Sequence, residues 1–195
     1  MTPLVGNVTT LVSLLTIAAD IFIGLFVIAL FLVWAGDAST RKFFKKYYRY
    51  AVPVAFLISL GAPIGSLFYS QVAGFEPCEL CWWQRIFSYP LVIILALTLW
   101  YTRSKSAASA EQKNTVTNFA LTLVGFLAGI GALIAIYHSY GQLLNPDILP
   151  ACAATCVSCA KLYFLYYGYV VIPTMSLTAF LLTLLPVFAY KIGKK

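Results

Sequence analysis

The sequence predicts an all-α, polytopic membrane protein, built as a four-helix transmembrane bundle with one extra transmembrane helix at the N-terminus. Three observations carry this prediction. Of 195 residues, 62% are hydrophobic and 10% charged, against roughly half and a quarter in soluble domains. Five apolar segments approach or exceed the roughly 20 residues that a helix needs to cross a bilayer. Lys and Arg, finally, cluster in alternate connections between those segments. The length allows one membrane domain with short loops and leaves no polar stretch for a second, soluble one. Residues 1–50 read as the extra helix with its basic connection, and residues 51–195 as the four-helix domain.

The first segment runs from about Thr10 to Trp34, and the second from about Ala51 to Ala73. The third, Ile86 to Tyr101, is too short to span, so its helix must begin upstream within "CELCWW". The fourth covers about Thr117 to Ile136. The fifth is expected from Leu162 to about Tyr190, kinked by Pro173 and Pro186. Asp20 falls near the middle of the first segment, where a carboxylate is costly unless protonated or hydrogen-bonded to a neighbour.

Charge sets the expected orientation. Arg41, Lys42, Lys45, Lys46, Arg49, Arg103, Lys105, Lys113, Lys191, Lys194 and Lys195 are eleven of the thirteen basic residues, and all fall on one side of this topology. That side is the cytoplasm, placing the N-terminus outside and the C-terminus inside. The net charge of +7 therefore reads as a topology signal, and nucleic-acid binding is excluded as its meaning. The first segment lacks a basic n-region and a small-residue cleavage site, so it reads as a retained helix.

All five cysteines then fall in the external loops: Cys78 and Cys81 in the first, Cys152, Cys156 and Cys159 in the second. Disulfides persist outside the cytoplasm. Three uses compete: structural disulfides, a metal site with the zinc-like spacings 78/81 and 156/159, and a redox relay. The one histidine, His138, is in neither cysteine group, so a metal would lack a helper ligand. The setting of "FEPCELCWWQR", residues 75 to 85, favours the relay. A C-x-x-C at a helix start meets the positive end of the helix dipole and unpaired N–H groups, which stabilise a thiolate. Pro77 suits a chain entering a helix. Arg85 follows Cys81 by four residues, sharing its helix face roughly 6 Å deeper. A cation there either snorkels to the headgroups or serves an intramembrane function. A lipid-soluble acceptor such as a quinone fits such a site, because an arginine can hydrogen-bond its oxygen and stabilise the charge that grows there. Trp82 and Trp83 are candidates for lining that pocket or for the interfacial aromatic belt.

"PCELCWWQR" followed by a transmembrane helix resembles the P-C-x-L-C-x-x-[EQ]-R signature of the DsbB/BdbC disulfide bond formation proteins, quinone-dependent thiol oxidases of bacterial membranes. "YHSYGQLL" is similar to that family's histidine and Q-L, and "SCAKLYFLYYGYVVIP" to its cysteine, glycine and proline order. The resemblance runs from the second segment to the fifth. It implies a multi-pass protein of the bacterial inner or plasma membrane that reoxidises a DsbA-like thioredoxin-fold oxidase and passes electrons through two cysteine pairs to ubiquinone or menaquinone. By position, Cys81 would face the quinone and Cys78 would exchange with the second loop. Arg85 would stabilise the reduced species, with Gln84 and His138 beside the quinone.

Two features depart from the family pattern. The second loop has three cysteines where the family needs two: Cys152 with Cys159 is the favoured pair, and Cys156 with Cys159 the rival. The extra first helix reads as a packed anchor. In the vitamin K epoxide reductase type, the loop cysteines precede the C-x-x-C; here they follow it, which favours the DsbB type. The competing function class is a non-enzymatic membrane protein whose cysteines brace loops or bind metal.

Overall fold

The structure, a computed structural model, describes residues 2–104, 109–150 and 157–194. Its helices are α1 (Pro3–Trp34), α2 (Ala38–Tyr47), α3 (Ala51–Leu67), α4 (Glu79–Arg103), α5 (Ala110–Leu143) and α6 (Ile172–Lys194). Among the described residues, five continuous helical stretches are long and apolar enough to cross a membrane: α1, α2 with α3, α4, α5 and α6. Local chemistry sets several of their ends. The Thr2 hydroxyl accepts from the Val5 N–H with Pro3 opening α1, and the Asp37 carboxylate accepts from the Thr40 N–H to start α2. Those hydrogen bonds to Thr40 hold the exposed Asp37 carboxyl below its usual range. Ser109 and Gln112 close a capping box at the head of α5.

Helices α3 to α6 share one core. Ala55, Leu91, Leu95, Leu121, Val124, Ala128, Phe180 and Val187 form its buried centre. Small residues let α5 and α6 approach closely, as between membrane helices generally. Gly131 shows how closely: a Cβ there would lie 2.5 Å from the Phe180 ring. Gly131→Val is therefore expected to destabilise the bundle by about 1–3 kcal/mol, visible as a lower Tm in detergent. Gly129→Ala, with open space around its Cβ position, is expected to leave Tm unchanged.

The expected fifth helix is shorter than its apolar run. Residues 162–171 are not helical; Tyr166 and Val170 form an antiparallel bridge around a turn in which Tyr167 (φ 52°) and Gly168 (φ 79°) take left-handed backbone. Helix α6 starts only at Ile172, where the Thr174 hydroxyl accepts from the Val171 N–H at 2.8 Å. Pro173 thus lies in the first helical turn, where a proline costs no hydrogen bond, and does not kink a longer helix. Pro186 does lie inside the helix.

Helix α1 packs mainly on α6 and touches α2. It buries only a stripe, Val5, Thr9, Ser13 and Thr16, while Leu11, Leu15, Phe22, Leu25 and others stand exposed, as lipid-facing side chains do. The Asp20 carboxylate is hydrogen-bonded on both oxygens, by the Thr178 hydroxyl at 2.7 Å and the Tyr169 hydroxyl at 2.9 Å. The expectation of a neighbour-satisfied polar residue holds.

Candidate active site

The C-x-x-C opens α4. Cys78 is its extended N-cap residue, and its carbonyl accepts from the Trp82 N–H to close the first turn. That turn brings the Cys78 and Cys81 sulfurs to 2.9 Å. One turn further, Arg85 points inward: its Nε donates to the Ser66 hydroxyl at 2.8 Å and its Nη2 to the Ser66 carbonyl at 3.1 Å. Only 9% exposed, its head is fixed to α3 and does not snorkel. The Trp82 ring lies 5.1 Å from the guanidinium. Trp82 and Trp83 are both about half exposed, and neither lines the cavity described below.

Helix α5 brings in His138, which is 1% exposed. Far from both cysteine groups in sequence, it is next to both in space: its Nε2 lies 3.8 Å from the Cys78 sulfur and 3.2 Å from the Cys159 carbonyl oxygen. The ligand atoms of Cys78, His138 and Cys159 all lie within 4.8 Å of one another. This corrects the expectation that the histidine stands apart from the cysteines. A carbonyl can only accept, so Nε2 carries the proton, and Nδ1 accepts from the Gln84 amide at 3.1 Å. Gln84 thereby selects the tautomer, and neither ring nitrogen offers a free lone pair to a metal in this arrangement. Gln142, one helical turn beyond His138, donates to the carbonyls of Cys159 and Lys161 and holds the second loop in place.

An aromatic clamp, unforeseen from the sequence, joins the loop before α4 to the loop before α6. Tyr163 stacks on Phe75 at 4.4 Å and 15°, Phe75 stacks on Tyr69 at 5.9 Å and 6°, and Phe164 packs on Tyr69. The Tyr163 hydroxyl donates to the Glu76 carbonyl at 2.9 Å. A π turn over Phe68–Val72 at the end of α3 carries Tyr69 into this stack. The only signal for it was the density of aromatics in "LYFLYYGY", which the apolar reading absorbed into a helix.

Two cavities meet at this site. The larger, about 340 Å³, lies among α1, α3, α4 and α6 and has a largely apolar lining, with Cys81, Gln84, Arg85, Ser66, Ser88 and Ser176 among its polar groups. Its size falls at the low end of small-ligand pockets. The smaller, about 50 Å³, is lined by Cys78, His138, Gln142 and Cys159, among others. Cys81, Arg85, Ser66 and Tyr69 belong to both walls. Cys78 and Cys81 therefore stand between the second-loop cysteine and the apolar cavity, while His138 faces the smaller cavity alone. Cys152 and Cys156 lie outside the described residues.

Cys78 and Cys159 hold their protons strongly in this arrangement. The hydrogen bond to Cys81, and burial after it, push the Cys78 thiol up to about 12. Burial pushes Cys159 up to about 11, although the first-turn amides of Leu80 and Glu79 pull the other way. A raised thiol pKa means that the neutral form is favoured and that nucleophilicity grows as pH rises towards that value. Alkylation of Cys159 in the reduced protein is expected to be about a hundredfold slower at pH 8 than that of an ordinary exposed cysteine, and to gain about tenfold per pH unit. Peptide mass spectrometry after timed iodoacetamide labelling checks this.

Comparison with known proteins agrees with the site. The family model described as "Disulfide bond formation protein DsbB" matches residues 48–190. A probable disulfide formation protein C 1 of Bacillus cereus is 34% identical over 137 residues, which cover 70% of this chain and 88% of that protein. A probable disulfide formation protein of Oceanobacillus iheyensis is 39% identical over 120 residues, 60% of this chain and 72% of its own. Disulfide bond formation protein C of Bacillus subtilis is 34% identical over 133 residues, 67% and 85% of the two chains. No solved structure matches. A helical membrane bundle with a C-x-x-C at the head of α4 and a third cysteine packed against it, matched by that family over α3 to α6, belongs to the DsbB family of disulfide bond formation proteins.

Proposed function

We propose that this protein is a thiol:quinone oxidoreductase that reoxidises a DsbA-like thioredoxin-fold dithiol and passes the electrons to ubiquinone or menaquinone. The observation that supports it best is the position of Cys78, whose sulfur touches Cys81 on one side and approaches Cys159 on the other, with Cys81 alone of the three on the wall of the apolar cavity. The larger cavity fits a quinone ring: it is apolar, and it offers the Arg85 guanidinium and the Gln84 amide as hydrogen-bond donors.

The steps balance. A thiolate of the donor attacks the second-loop disulfide at Cys152 and displaces Cys159; the donor's second thiol then closes its own disulfide. The Cys159 thiolate attacks Cys78 in the Cys78–Cys81 disulfide, and Cys81 leaves as thiolate. Cys152 resolves the inter-loop bond and releases Cys78. Cys81 and Cys78 then give two electrons and two protons to the quinone and return to disulfide. In the reduced pair Cys78 holds its proton, and Cys81 presents its sulfur at the cavity wall beside Arg85. Under this reading Cys152 pairs with Cys159, Cys156 with Cys159 being the rival, and residues 51–195 form the catalytic domain with residues 1–50 added to it. The cysteine loops face outward from a bacterial inner or plasma membrane, with the C-terminus in the cytoplasm.

The test mixes the detergent-purified protein with a reduced thioredoxin-fold dithiol and a soluble quinone analogue and follows quinone absorbance. Turnover is expected, lost in Cys152→Ala and Cys159→Ala and largely spared in Cys156→Ala. The reverse ranking overturns the pairing. Stoichiometric bound zinc without quinone reduction, across a range of donors, overturns the oxidase reading in favour of a metal site.

A further inference from the structure

Helix α1 lies wholly outside the residues that the family model matches, yet Val12 and Thr16 of this helix line the large cavity beside Cys81 and Arg85. We propose that α1 is a working wall of the electron-acceptor site: Val12 and Thr16 shape the side of the cavity that would otherwise open to lipid, and so help determine which quinones bind and how tightly. This inference rests on the quinone reading above.

Several observations converge on it. Val12, Thr16 and Asp20 follow one another at four-residue spacing, so they share one face of α1. The Thr16 hydroxyl donates to the Val12 carbonyl at 2.8 Å, so what α1 adds to the wall is hydrocarbon. Such a surface suits the apolar edge or tail of a quinone and leaves hydrogen bonding to Arg85 and Gln84 on the opposite side. The wall is also held in register. Asp20 accepts from Thr178, six residues into α6, and from Tyr169 in the loop before it. A carboxylate hydrogen-bonded between membrane helices is a costly device for a helix that serves only as an anchor. It ties α1 to the helix that supplies Met175, Ser176 and Ala179 to the same cavity.

The role of α1 is read from the Michaelis constant for quinone. Val12→Trp and Thr16→Trp place bulk in the cavity; Leu11→Trp and Leu15→Trp, on the exposed face of the same helix, are the controls. The two wall variants are expected to raise the quinone KM about tenfold or more, by the usual sensitivity of an apolar pocket to shape. The KM for the dithiol donor is expected to stay unchanged, which also shows that the variants are folded. Asp20→Ala, which releases a positioning residue, is expected to raise the quinone KM in the same way, with Asp20→Asn restoring part of the effect. A quinone KM in both wall variants within about twofold of the controls overturns the proposal and leaves the oxidase reading standing. No quinone reduction by the unaltered protein overturns both.

Discussion

Cys78→Ser is expected to stop donor-dependent quinone reduction, by about three orders of magnitude or more, as loss of a residue that carries a covalent step commonly does. Cys78 is the sulfur through which the two loops communicate: it lies 2.9 Å from Cys81 and belongs with His138 and Cys159 to one tight group. The same geometry predicts which bond forms when its normal partner is removed. A Cys81→Ser chain is expected to oxidise to an inter-loop Cys78–Cys159 disulfide, read by non-reducing peptide mapping. A Cys78→Ser chain is expected to form no Cys81–Cys159 bond at a comparable rate. Equal rates for the two would show that Cys78 is not the junction.

Arg85→Met is expected to slow quinone reduction by about a hundredfold, the usual cost of removing one preorganised donor from a site where charge develops. Its guanidinium is buried, fixed by two hydrogen bonds to Ser66, and part of the cavity wall that Cys81 shares. Reduction of the protein's own disulfides by the donor, measured without quinone, is expected to proceed normally, because that chemistry takes place on the Cys159 side. Arg85→Lys is expected to fall between, keeping the charge but losing the planar two-point grip on Ser66. A loss of donor exchange equal to the loss of quinone reduction would assign Arg85 to the fold instead.

The site was legible where a short-range rule governs it. Helix length forced α4 to begin at the C-x-x-C, and a spacing of four placed Arg85 on the face of Cys81. What stayed hidden depends on tertiary contact. Nothing in the order of residues shows that His138, 57 positions beyond Cys81 in the chain, is seated between Cys78 and Cys159. The aromatic clamp and the end of the fifth apolar run share one cause. Within the non-helical residues 162–171, Tyr163 and Phe164 pack as rings on Phe75 and Tyr69, and apolar content cannot distinguish such a loop from a membrane span. The first helix posed the same difficulty. An apolar stripe facing a cavity and one facing a neighbouring helix read alike until the cavity itself is seen.

Cys81 and Arg85 stand in the walls of both cavities, so under the proposed oxidase function thiol exchange and electron transfer to the acceptor would take place at one end of the bundle. The consequence of that proposal is electrical. Protons released by the incoming dithiol and protons taken up with the electrons would be exchanged at the same face of the bilayer, and a catalytic cycle would carry no net charge through the membrane dielectric. Voltage across an energised membrane would then neither drive this chemistry nor oppose it, and its direction would be left to the redox potentials of the two substrates.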